Sequence, residues 1–336
     1  MQPYTEQFFQ GNSEWARSAA AEIVPLVIEM IQPQNVIDVG CGAGSWLAAF
    51  RKFGVVDVLG VDGEYVQPEQ LEIPMERFMP FDLTRPLRLE RQFDLVVSLE
   101  VAEHLPPACA TTFVESLTRL GPVVLFSAAI PGQGGVNHIN EQWQDYWAEL
   151  FRNAGYEPVD WLRKRIWRNE RIEWYYAQNI LTYARPEYIA ARPALQREWK
   201  QTAPEQLSIV HPAQYLETMA WADRVCQSIT ELAAVIPATE KFILVDEAQL
   251  EGTLTAGRSY IPFPEVDGDY DGPPDDDDAA IAELTRLRAK GAGFIVFAWP
   301  AFWWLDHYEG MRQRLRAEHR CVLENDRLVI FDLRAS

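Results

Sequence analysis

The chain has 336 residues, 48% hydrophobic and 24% charged, which is enough to bury one large core or two separate ones. Its net charge of −19 repels polyanions and so excludes duplex nucleic acid as an expected partner. No apolar window reaches the ~20 residues of a membrane span, no secretory leader pattern is present, and Cys41, Cys109, Cys226 and Cys321 form no CxxC pair, so a reduced cytoplasmic protein is expected.

The first clear element lies in SEWARSAAAEIVPLVIEMI, where Ile23, Val24, Val27, Ile28 and Ile31 recur at helical spacing behind Ser13 as N-cap. NVIDVG (35–40) then reads as a strand, GSWLAAFRKF as a helix and VVDVLGVDG as a second strand. FDLVVSL (93–99) is a third clear strand, ACATTFVESLTRL a helix and GPVVLFSAAI a fourth strand. Such alternation predicts an α/β fold, a doubly wound parallel sheet with helices on both faces. Residues 185–237 are helical and proline-punctuated and read as a connector. Residues 238–336 repeat the α/β rhythm in KFILVDE, DDAAIAELTRLRAKGA, GFIVFAW, FWWLDHYEGMRQRLRAEH and RLVIFDL, predicting a second, smaller α/β domain after a first domain of residues 1–184. The acidic run EVDGDYDGPPDDDD (265–278) is expected as a solvated loop, since it lacks the alternation and closing Glu of a calcium loop.

The chemistry concentrates in VIDVGCGAGSW (36–46). Glycines after a strand let a ligand approach the backbone, and the following helix aims free N–H groups at it. A dinucleotide loop needs G-x-G-x-x-G. Here Gly40, Gly42 and Gly44 alternate, Ser45 stands at the third dinucleotide position, and Asp38 precedes the turn. In these residues the chain resembles the class I S-adenosylmethionine-dependent methyltransferases, whose first motif is a strand of the form hhDhGCGxG.

The resemblance runs from Tyr4 to Tyr183 and implies a Rossmann-like sheet with S-adenosylmethionine as cofactor. Asp38, Gly40, Gly42 and Gly44 would hold it. Asp62, closing GVD, would accept both ribose hydroxyls, as a bidentate carboxylate can. Asp82 and Leu83 of MPFDLT would border the adenine. FDLVVSLEVAEHL matches the family's fourth-strand motif and would place Ser98 at the cofactor. The N-terminal helix, with Tyr4, Phe8 and Phe9, resembles a lid, and simple packing on the sheet is the alternative.

A sulfonium methyl is already activated, so the protein must align an acceptor and, for a hydroxyl, remove a proton. Acceptor groups are expected beyond the strands' C-terminal ends. Glu100, Glu103 and His104 would share one helical face there, and SAAIPGQGGVNHINEQWQDYW brings His138, Asn140, Glu141 and Gln142 from the next strand. Glu100, Glu103, His104 and His138 together would suit Mg²⁺, Mn²⁺, Zn²⁺ or Fe²⁺ better than Ca²⁺. This ExxEH with a downstream His is similar to metal-assisted O-methyltransferases of small RNAs and of the ubiquinone pathway, in which a metal grips two neighbouring hydroxyls. Relatives without a metal also carry EHL. In that alternative His138 is the general base and His104 its orienter.

Trp143, Tyr146, Trp147, Trp161, Trp167, Trp174, Tyr175 and Tyr176 are expected mainly as core, with a few left to wall a sugar or aryl pocket. The second domain resembles a module found beside bacterial glycosyltransferases. Its Trp299, Phe302, Trp303 and Trp304 suit core packing ahead of a carbohydrate platform. The expected activity is O-methylation of a sugar or glycosylated small molecule. An amine on an amino sugar and a non-catalytic role in glycan assembly are the alternatives, and a small-RNA acceptor is opposed by the acidic charge.

Overall fold

The structure is a computed structural model that describes residues 6–250, 252–255 and 257–334, with the backbone alone over 6–13. Tyr4 and the side chains of Phe8 and Phe9, expected in a lid, lie outside the described residues. The chain divides into two compact units, Met1–Leu216 and Glu217–Ser336.

In the first unit, α1 (Glu6–Ile31) starts well before Ser13, so Ser13 lies inside the helix and is not its cap. Its apolar stripe buries Ile23, Val24 and Val27 completely. The sheet comprises β1 (Asn35–Val39), β2 (Asp57–Asp62), β3 (Phe78–Pro80), β4 (Leu95–Leu99), β5 (Val123–Ser127), β6 (Glu157–Val159) and β7 (Leu181–Ala184), in the order β3-β2-β1-β4-β5-β7-β6. Every residue of β4 and β5 is buried, as continuous apolar runs in a sheet covered on both faces require.

Alternate residues feed opposite cores. Val36, Val97 and Leu125 pack with Ile23, Val27 and Phe50, the last from α2 (Ser45–Lys52). Ile37, Val96 and Phe126 pack with Phe113 and Leu117 of α3 (Ala110–Leu120) and with Trp147 and Phe151 of α4 (Gln144–Asn153). Two short helices, α5 (Arg163–Ile166) and α6 (Trp174–Asn179), precede β7. β7 runs antiparallel to both β5 and β6, a departure from the all-parallel expectation. A short apolar run signals a strand without signalling its direction.

The strand order reverses between β1 and β4, so the crevice for a ligand opens beyond the C-terminal ends of these strands. Gly40, Asp62, Glu100 and the segment 128–143 all emerge at such ends.

The second unit has a sheet of β8 (Lys241–Val245), β9 (Tyr260–Pro262), β12 (Ala292–Ala298), β13 (Arg320–Glu324) and β14 (Leu328–Asp332), in the order β13-β14-β12-β8-β9. The acidic run is not a plain solvated loop. β10 (Glu265–Val266) pairs antiparallel with β11 (Asp269–Tyr270), and Asp276 caps the helix Asp277–Ala289 by accepting from the Ala279 amide at 2.8 Å. The aromatic cluster divides: Trp304 is fully buried, whereas Trp303 is 41% exposed. Both indoles donate to Oε1 of Glu247, at 3.0 Å each. Among the described residues no helix is long and apolar enough to cross a membrane.

Glu265 receives Lys290 at 2.6 Å and Arg286 at 2.9 Å, and these bonds hold its carboxyl down at about 2. A depressed folded-state value gives stability that is complete above the unfolded value near 4.5 and is lost as pH falls towards 2. Glu265→Gln is expected to lower the urea midpoint at neutral pH, with the deficit shrinking steadily between pH 4.5 and the onset of acid unfolding. A deficit that does not change with pH would assign the effect to packing.

Candidate active site

The glycine turn is built from backbone that a side chain would obstruct. Gly40 has φ +87, and a Cβ there would stand 2.3 Å from Val101 Cγ2. The amide of Gly40 donates to the Val61 carbonyl at 2.7 Å, and that of Gly42 donates to Asp62 Oδ2 at 2.6 Å. Asp62 is 4% exposed, and its other oxygen accepts the Gly63 amide at 2.7 Å and the Tyr65 hydroxyl. Burial pushes the Asp62 carboxyl up, and these three donors oppose that shift. Around Gly42, at φ +51, a Cβ would meet nothing within 4 Å, so a ligand can lie against this backbone. Gly44 (φ +86) heads α2 in the left-handed region. Ser45 is committed to Glu72 at 2.5 Å.

Asp38 is 2% exposed with Oδ2 unpartnered, and burial first, then the nearby Asp62 charge, raise its carboxyl well above the usual range. An orphaned carboxylate oxygen beside an open glycine turn fits a cofactor that brings donors of its own, as the ammonium and hydroxyls of S-adenosylmethionine would.

The other expected cofactor residues differ from one another. Ser98 is fully buried, and its hydroxyl donates to the Val39 carbonyl at 2.8 Å. It braces β4 against β1, which spends the hydroxyl's one donor. Asp82 is exposed and closes its own turn, accepting the Thr84 amide and hydroxyl at 3.0 and 2.7 Å. These bonds lower its carboxyl. Leu83 is half-buried beside it.

At the acceptor end the expected helical turn does not form. Glu100 follows β4 with φ +54, and a single 3-10 turn, Ala102–His104, comes after it. Glu100 is instead engaged by amide side chains. Its carboxylate accepts from Gln133 at 3.0 Å and from Asn179 at 3.2 Å. Glu103, His104 and His138 do converge, with one ligand atom from each lying within 4.8 Å of the others, and Glu100 is not in the group. Both oxygens of fully buried Glu103 lack partners, as does His104 Nδ1. Burial first, then the Glu100 charge, push the Glu103 carboxyl well above the usual range. Burial and the facing His138 bring His104 down to about 4, so its imidazole is neutral at neutral pH. Two imidazoles and a carboxylate, short of donors and close together, fit a divalent metal from the manganese, iron or zinc side of the set better than magnesium.

His138 stands edge-on to His104, with 4.9 Å between ring centroids. Its Nδ1 lies 3.0 Å from Glu141 Oε1. A carboxylate can only accept, so Nδ1 carries a proton, and in the neutral ring that tautomer leaves Nε2 as the acceptor. Glu141 also accepts the amides of Gly132 and Gly134 at 2.8 and 2.9 Å, which shapes the loop around the histidine. The Glu103 carbonyl receives the amides of Ile139 and Asn140, joining this loop to the turn after β4.

Glu141 had a legible signal, three residues beyond His138, although its role there was not read. Asn179 and Gln133 had none, because Asn179 lies 79 positions from the carboxylate that it meets. Tyr175 comes into the same region: burial first and the Glu100 charge second raise its phenol. Of the aromatic residues, Trp147 and Trp161 are core, and Trp143 is 41% exposed directly after the loop.

A family model described as a methyltransferase domain matches residues 13–222. No curated protein matches the chain. Among solved structures, the magnesium protoporphyrin IX methyltransferase of Synechocystis PCC 6803 with bound SAH aligns at 19% identity and TM-score 0.40, covering 54% of this chain and 90% of its own. The sugar N-methyltransferase KedS8 from Streptoalloteichus sp ATCC 53650 aligns at 15% identity and TM-score 0.42, over 54% of this chain and 92% of its own. An O-methyltransferase family protein from Burkholderia thailandensis aligns at 13% identity and TM-score 0.40, over 53% and 59% respectively.

Two substitutions separate bracing from cofactor contact. Ser98→Ala is expected to cost about 1 kcal/mol in denaturant unfolding and to leave S-adenosylhomocysteine affinity by calorimetry unchanged. Gly40→Ala is expected to lose that affinity, because both its φ and the contact with Val101 forbid the side chain.

Proposed function

The chain belongs to the methyltransferase-domain family and is an S-adenosylmethionine-dependent methyltransferase, and from that premise we propose that it methylates a hydroxyl of a small-molecule acceptor, a sugar or glycosylated compound, with His138 as the base. The observation that carries this reading is the His138–Glu141 pair at 3.0 Å. Glu141 fixes the tautomer and stabilises the imidazolium that forms when Nε2 takes the acceptor's proton, the arrangement an oriented general base needs. An amine acceptor would need no such base.

S-adenosylmethionine supplies the activated methyl. The chain's own part is to hold it and to align the acceptor. Gly42 and Gly44 shape the cradle, with Asp38 as its buried acceptor and Asp62 fixing the glycine turn. The Glu103–His104 turn and the loop bearing His138 bound the place where a hydroxyl would sit. Trp143 offers an exposed aromatic face for the apolar side of a sugar ring.

Glu103, His104 and His138 would also hold a divalent metal, which would supply Lewis acidity to a bound hydroxyl. In that case Glu141 keeps its place as the carboxylate behind a ligating imidazole, so the same tautomer serves either way.

His138→Ala is expected to lower kcat by about 10²-fold or more with S-adenosylmethionine affinity retained. Glu141→Gln is expected to lose about ten- to a hundredfold. A rate that survives His138→Ala would turn the acceptor reading from hydroxyl to amine. Calorimetric titration of Mn²⁺ into chelator-stripped protein is expected to give saturable heat that His138→Ala abolishes. Absence of heat would remove the metal and leave the base.

A further inference from the structure

Away from the cofactor turn, a cavity of about 660 Å³ opens in the first unit along the run Arg163-Lys164-Arg165-Ile166-Trp167-Arg168. Four cations in six positions stand out in a chain of net charge −19. Their pairing is incomplete. Asp160 is spanned by the fork of Arg163, with Nε at 2.9 Å. Glu198 serves both Lys164 and Arg165, the latter at 3.0 Å. Arg168, which is exposed, has no ion pair or hydrogen bond among the described residues. Two carboxylates thus offset four cations, and the excess positive charge faces the cavity.

The floor is rigid. Arg163 is 2% exposed and donates from Nη1 to the carbonyls of Gln178 at 3.2 Å and Leu207 at 2.7 Å. Half-buried Trp167 is held by His211, whose Nε2 meets the Trp167 carbonyl at 3.1 Å and whose ring lies 4.5 Å from the indole. Trp167 keeps helical backbone geometry after α5, so Lys164 and Arg168 are i and i+4 neighbours on one face. Cations at that spacing, with Cβ atoms ~5–6 Å apart, suit two adjacent anionic centres better than a single carboxylate. Two consecutive residues link the cavity's floor to the acceptor end. The Gln178 carbonyl receives Arg163, and the next residue, Asn179, donates to Glu100 at 3.2 Å.

We propose that this cavity binds a diphosphate group carried by the acceptor, so that the hydroxyl substrate is a diphosphate-linked small molecule. Its role rests on the hydroxyl reading above, whereas the binding itself does not. Arg168 supplies the free charge-assisted donors, Lys164 adds to them beside its bond with Glu198, and Trp167 offers a flat apolar wall to whatever the diphosphate carries.

The test is calorimetric titration of inorganic pyrophosphate into the full chain at fixed ionic strength. Saturable one-to-one binding is expected, weakened about tenfold or more by Arg168→Glu and unchanged by Arg88→Glu, which alters an exposed cation outside the cavity lining. No saturable heat, or an equal loss in Arg88→Glu, overturns the site. A parallel titration with uridine diphosphate identifies the source of the group. Tighter binding that Trp167→Ala returns to the pyrophosphate level supports a nucleoside-linked ligand, and equal binding supports recognition of the diphosphate alone. Neither probe requires methyl transfer, so a failed base test at His138 leaves this site standing, and a failed pyrophosphate titration leaves the hydroxyl reading standing.

Discussion

The bond from the Gly42 amide to the Asp62 carboxylate is the constraint on which the rest of the first unit's chemistry depends. A carboxylate removed from water must be met by donors or give up its charge. Gly42 is placed to meet it by a turn after β1 that takes positive φ at Gly40, Gly42 and Gly44, and Gly63 meets it as the next residue along the chain. That geometry presses Gly40 onto Val101, and Val101 leads into the turn bearing Glu103 and His104. The Glu103 carbonyl then anchors Ile139 and Asn140, which directly follow His138. The glycine turn and the loop bearing His138 are therefore joined by contiguous contacts through Val101, although nearly a hundred residues separate them in the chain.

The two carboxylates after β4 show how differently one short segment can treat charge. Glu100 is satisfied by the amides of Gln133 and Asn179, which oppose the upward push of burial. Glu103 is fully buried with neither oxygen partnered, a costly state that packing alone would not select. Such a group belongs to a functional site more readily than to a stabilising network. The left-handed backbone of Glu100 breaks the helical path between them, so the two carboxylates meet different partners although each still senses the other's charge.

Periodicity and punctuation carried much of the architecture. Alternating β-rich and helical runs announced a doubly wound sheet, and the strands β1, β2, β4 and β5 lie where their apolar runs stand. β3 and β13 were not legible, being short or only partly buried, and the ribbon of β10 and β11 was hidden in an acidic run. Within the site, the glycine turn, Asp62, His104 and His138 could be picked out because their chemistry has a recognisable spacing. Asn179 and Gln133 could not, since amide side chains carry no such signature and their partner lies far along the chain.

The sequence by itself determined the class of sheet, the glycine turn and the residue types placed after the strands, because these follow from local spacing and from what a Cβ permits. Only the tertiary structure decided which of those residues act together. It tied Ser98 to Val39, sent Glu100 to Asn179, and left Glu103, His104 and His138 as a cluster with Glu141 behind it. It also gathered Arg163 to Arg168 around a cavity in an otherwise acidic chain. The physical reason is the same in each case: whether a polar group is spent or available depends on partners brought by distant segments, and that pairing is settled only when the chain closes around it.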